Sequence, residues 1–100
     1  MDILKFEARD GRGVLGMFNN NRSVMMVETP GFKKQLLVIG IQCRMDSFEE
    51  MYYTNLLHNI FNMFEIIDLG RSHKRRQFLV KYPSNINRNF VVNLIAMFLD

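Results

Sequence analysis

The chain has no tryptophan, one cysteine, two prolines and six glycines in 100 residues. Cys43 alone leaves no intrachain disulfide and fits a reducing compartment. The scarcity of proline and glycine excludes collagen-like and low-complexity chains, and 48% hydrophobic content excludes a disordered tail. Long apolar runs are missing too. The uncharged stretch Asn89 to Leu99 falls far short of the ~20 residues that span a bilayer. The first ten residues include Asp2, Lys5, Glu7, Arg9 and Asp10, so no apolar signal core is expected there. Asn21-Arg22-Ser23, formally a glycosylation sequon, is then read as chance. A cytosolic location, shared with the nucleus, is expected, without membrane attachment. The length also excludes a (β/α)₈ barrel, which needs about 250 residues. One domain over residues 1–100 is the expectation. A chain this short buries only about 60–65% of the surface its unfolded form exposes, so a partner is expected to add stability.

Charge of one sign is missing from two segments. Residues 45–70 hold Asp46, Glu49, Glu50, Glu65 and Asp68 and no lysine or arginine. Residues 71–99 hold Arg71, Lys74, Arg75, Arg76, Lys81 and Arg88 and no acid. A net charge of +3 thus resolves into an acidic middle and a basic last third, which implies an acidic partner.

Hydropathy patterning supplies the elements. Ile3 to Arg9 alternates, with Leu4, Phe6 and Ala8 on one face, and reads as a half-buried strand. Asp10-Gly11-Arg12-Gly13 is a turn, followed by a strand over Val14 to Phe18. Asn19-Asn20-Asn21 turns again, because asparagine tolerates left-handed backbone. A third strand covers Ser23 to Glu28 and stops at Thr29-Pro30-Gly31. Gln35 to Cys43 is apolar on both faces and belongs at the centre of a sheet. The middle admits two readings. Asp46-Ser47-Phe48-Glu49 opens like a capping box, which would start a helix from Ser47 to Leu69. Met51-Tyr52-Tyr53-Thr54 instead favours a fifth strand near 50–57. Beyond it, Ile60, Met63, Phe64 and Ile67 fall at helical spacing, with Gly70 as an end or an interruption. Gln77 to Tyr82 is a strand halted by Pro83, and Ile86 to Leu99 a packed helix with Val91, Leu94, Ile95 and Phe98 on one stripe, widened by Phe90 and Met97.

Chemistry-bearing motifs are few. Gly11-Arg12-Gly13-Val14-Leu15-Gly16 spells a dinucleotide fingerprint, but a second strand follows where a helix must open, so it reads as a glycine-rich hairpin. Cys43, His58 and His73 lack ligand-pair spacing, and Cys43 ends an apolar strand where thiols are inert. Glu49 and Glu50 read as solvated carboxylates. No catalytic residue, no cofactor and no metal is expected. The sharpest polar feature is Arg71-Ser72-His73-Lys74-Arg75-Arg76. It reads equally as a contact for phosphate or an acidic surface, a short nuclear signal, or a solvated helix end complementing the macrodipole. Arg71, His73, Lys74, Arg75 and Arg76 are therefore the partner-binding candidates. The aromatics lie in apolar stripes rather than interleaved with these cations, which argues against a nucleic-acid partner.

Two segments carry a resemblance. Ser23 to Ser47, with its Arg44-Met45-Asp46-Ser47 turn, resembles the central strands of the proteasome assembly chaperone 4 family. Gln77-Phe-Leu-Val-Lys-Tyr82, an asparagine-rich turn and Asn89-Phe90 are similar to that family's last strand and helix. The resemblance covers roughly residues 22–100. It implies an α+β fold, a six-stranded antiparallel β-sheet flanked by two α-helices in the order β-β-β-β-β-α-β-α. The middle would then be a strand near 50–57 and a helix from about 59. It also implies a non-catalytic chaperone that pairs with the related assembly chaperone 3 subunit and engages proteasome α subunits while the 20S α-ring is built. Residues 58–69 depart from the family in being far more hydrophobic, and the chain ends Phe98-Leu99-Asp100 without a hydrophobic-tyrosine-x tail. A shorter likeness joins Phe6 to Gly16 and Val27 to Pro30 to the opening of tRNA-guanine transglycosylases; it spans about 25 residues and reads as convergent hairpin chemistry. The alternative function is a small basic RNA-binding α+β domain using Arg71 to Arg76.

Overall fold

The computed structural model describes residues 1–7, 13–43 and 47–100. The alternating N-terminal segment forms β1 (Asp2–Glu7), followed by β2 (Gly13–Phe18), β3 (Arg22–Glu28) and β4 (Lys34–Gln42). Then come α1 (Ser47–Ile60), β5 (Glu65–Ser72), β6 (Arg75–Pro83) and α2 (Arg88–Leu99). The six strands form one sheet in the order β1-β2-β3-β4-β6-β5, every neighbouring pair antiparallel. The expected α+β class, with a six-stranded antiparallel sheet and two helices, is what the chain adopts. The turn expected at Asp10-Gly11-Arg12, and Asp46 of the capping box, lie outside the described residues.

The middle exchanges its two elements relative to the resemblance. Residues 50–57 are helical, and the fifth strand follows at Glu65–Ser72. Strand formers at Met51 to Thr54 yield because Glu50, Tyr53, Leu57 and Ile60 line one side of a helix, where they are buried or packed on the core. The apolar spacing at Ile60, Met63, Phe64 and Ile67 does not continue the helix. Phe61 and Phe64 are buried in a turn, whereas Met63 is exposed. Ile66-Ile67 then pair with Val80 and Leu79 across a hairpin, which β-branched residues favour. Gly70 neither ends nor interrupts a helix: with φ at 83° it sits where the ladder register jumps after Asp68.

Alternate residues of the strands face both helices. Met17, Val24, Met26, Leu37, Ile39, Ile41, Phe78, Val80 and Tyr82 meet Leu57, Phe61, Val91, Ile95 and Phe98 in one core. Phe61 lies edge-on to Phe98 at 6.2 Å between centroids, and Phe64 against Tyr82 at 5.7 Å. In α2 the stripe Val91, Leu94, Ile95 and Phe98 is buried as its spacing predicts, whereas Phe90 and Met97 are exposed and do not widen it. Asn87 caps this helix, its Oδ1 accepting from the Asn89 amide at 2.8 Å. At the other end, Asn19 Nδ2 donates to the Leu99 carbonyl at 2.6 Å and Arg22 donates to that of Phe98. The β2–β3 turn and the first residue of β3 thereby satisfy carbonyls that a helix terminus leaves open.

Candidate partner-binding surface

The basic run is a hairpin. Arg71 and Ser72 end β5, His73 and Lys74 form the turn, and Arg75 and Arg76 open β6. It is not the solvated helix end the sequence allowed, because residues 65–72 are extended. Both turn residues have positive φ, 52° for His73 and 61° for Lys74. Such angles match the twist of a two-residue hairpin, although asparagine and glycine adopt them more readily.

Strand alternation divides the candidates between the two faces. Arg71 and Arg76 point toward α1. Arg71 pairs with Glu50; Arg76 approaches the same carboxylate at 3.5 Å and donates to Asp68, with its guanidinium 5.2 Å from the Phe78 ring centroid. Glu50, read as solvated, is therefore buried, with two cations at its carboxylate. Glu49 instead accepts from Asn21 Nδ2 at 3.1 Å. The Arg76 hydrogen bond, followed by the Gly70 amide, holds the Asp68 carboxyl below its usual range. Arg75 emerges on the other face, where it donates to Ser23 Oγ. His73 and Lys74 are exposed at the tip.

The remaining chemistry-bearing residues stay apart. Cys43 is buried, its Sγ 3.6 Å from the Ile41 carbonyl, and burial together with the neighbouring Glu50 carboxylate pushes its thiol pKa up. His58 lies on α1, edge-on to Phe78 at 6.0 Å. Arg22 was not singled out in the sequence, yet it is buried, with its guanidinium 4.0 Å from the Tyr53 ring centroid. Its period-two spacing with Val24 and Met26 places it on the core face and was the available signal.

A further surface feature is the sheet face away from the helices. Following the register across the strands, Leu4, Gly16, Met25, Val38, Leu79 and Ile67 form one unbroken apolar row. Val14, Val27 and Leu36 extend a second row, which ends at Lys81 and Glu65. Leu4 and Met25 are 49% and 42% exposed, and Val38, Leu79 and Ile67 are half-buried. No described element packs on this face. β4 is central and apolar on both sides, as its sequence predicts, but only one side is covered.

Compared with known proteins, the chain matches no protein family, no curated protein and no solved structure. Among the described residues, no helix is long and apolar enough to cross a membrane.

Proposed function

We propose that this protein is a non-catalytic assembly chaperone that pairs with a related subunit through its open sheet face and assists construction of the 20S proteasome α-ring. The apolar row across all six strands carries this reading. Contiguous exposed apolar surface marks an interaction site, and a second sheet laid over it makes a sandwich about 10 Å thick between sheets. The segments Ser23 to Ser47 and Gln77 to Phe90 add the likeness to the proteasome chaperone family, and hence the sister subunit and the α subunits as partners. The exposed His73-Lys74 tip and the hairpin arginines supply cations for an acidic partner surface, with Arg71 and Arg76 already bound to acids within the fold. That internal pairing leaves the RNA-binding alternative fewer free cations to bind phosphate.

Affinity purification of the tagged chain from its native cells, followed by mass spectrometry, tests the proposal. Recovery of a second small α+β chain together with proteasome α subunits is expected. Recovery of neither overturns it.

A further inference from the structure

Arg75 does not extend away from the sheet. It crosses β4 above Gly40 to donate to Ser23 Oγ on β3. Gly40 makes this path possible, since a Cβ there would collide with the guanidinium. Among the described residues Arg75 has no carboxylate partner, unlike Arg71, Arg76 and Arg88, which pair with Glu50, Asp68 and Glu28. Beside it opens a cleft of about 320 Å³ whose lining includes Leu4, Gly16, Phe18, Ser23 and Met25. A guanidinium held on one hydroxyl keeps further N–H donors for a second acceptor.

We infer that this cleft receives a carboxylate flanked by an apolar side chain from a partner polypeptide. The carboxylate meets Arg75, and the apolar group rests against Leu4 and Met25. A single fixed cation next to an apolar wall suits one such residue better than a run of phosphates, because the other hairpin arginines are paired toward α1. The inference rests on the open face being the pairing surface, and it adds a charge that fixes how the partner is placed.

A titration with short peptides tests it without the natural partner. The amide spectrum of the ¹⁵N-labelled chain is followed while N-acetyl-Leu-Leu-Asp-amide, or the same peptide ending in Asn, is added. The Asp peptide is expected to shift the Ser23, Gly40 and Arg75 signals and to bind about tenfold tighter than the Asn peptide, the gain of a charge-assisted hydrogen bond. Arg75→Gln should abolish that preference. Gly40→Ala, which keeps the charge but displaces the guanidinium from Ser23, should reduce it. Equal binding of both peptides, or shifts confined to other residues, overturns the inference. So does inorganic phosphate shifting the same signals as strongly as the Asp peptide, since the site would then be a simple anion site. Failure here leaves the pairing proposal intact, which stands or falls on the purification.

Discussion

Two neighbouring cross-strand pairs show how differently the faces of this sheet are used. Ile39 and Phe78 pair on the face under the helices and are fully buried. Val38 and Leu79 pair one residue along each strand and lie on the face that no described element covers. All four are apolar, so the composition of the pairs does not distinguish inside from outside. The helices supply only one covering layer, whereas the sequence of β4 carries apolar residues for two. An antiparallel sheet that faces water usually alternates apolar with polar residues. Here the outer row is apolar across its whole width, and that difference between the faces is what the proposed pairing rests on.

The comparison breaks most directly at β6. Phe78→Ala should cost ~3–5 kcal/mol of unfolding free energy, because a buried aromatic leaves a cavity. Its neighbour Leu79→Ala should cost less, ~1–2 kcal/mol in the isolated chain, because Leu79 is only half-buried and no described element closes over it to leave a cavity. Urea unfolding at low protein concentration reads both. If Leu79→Ala proves as costly as Phe78→Ala, the outer face is already covered by self-association. Leu79→Glu sharpens the contrast. It should cost ~1–2 kcal/mol of unfolding free energy, less than Phe78→Ala, while eliminating recovery of the partner subunit. Retained recovery would move the pairing surface elsewhere.

Much of this was legible in the sequence, for reasons that differ by element. β1 follows from period-two patterning, β2, β3 and β6 from short apolar runs bounded by turn residues, and the buried stripe of α2 from its 3.6-residue period. β4 was legible as central because both of its sides are apolar. That pattern also suggested cover on both sides, and no single-sequence signal states how many layers a domain has. The middle resisted because propensity and periodicity disagreed. Tyr52-Tyr53-Thr54 favours a strand in isolation, yet Glu50, Tyr53, Leu57 and Ile60 share one side only as a helix. At Ile60 to Ile67 a helical spacing arose by coincidence, with Phe61 and Phe64 placed in the core by a turn. The candidate cations were found as a run, but their division between faces became visible only once Gly70 and the His73-Lys74 turn fixed the register. Glu50 and Arg22 were missed because each is a charge whose burial depends on partners distant in sequence.

Glu50 tests the charged rim of the covered face. Glu50→Gln keeps its shape but removes the charge that Arg71 and Arg76 share. Arg71 has 57% of its side chain exposed and can rehydrate, so the loss should be ~1–2 kcal/mol rather than that of a fully buried pair. Hydrogen exchange should quicken in the β5–β6 hairpin more than in β2 and β3. A uniform change across all six strands would mean that Glu50 supports the whole sheet rather than this end of it.

Asp68 gives the smallest expected effect and the one with a defined pH window. Its folded-state pKa lies below the unfolded value, first because Arg76 donates to it and then because the Gly70 amide does. The ionised group therefore stabilises the fold fully above the unfolded carboxyl value of about 3.9, and the contribution is lost as pH falls through the lower folded value. With 44% of its side chain exposed, Asp68 should contribute no more than ~0.5 kcal/mol after solvent screening. Urea curves for the parent chain and Asp68→Asn should differ by that amount near about pH 6 and converge near about pH 2. A gap that does not change with pH would assign the effect to packing, leaving the Arg76 contact without an electrostatic role. Convergence would show that Arg76 is engaged within the fold through Asp68, in contrast to Arg75, which lies across the open face without a carboxylate partner among the described residues.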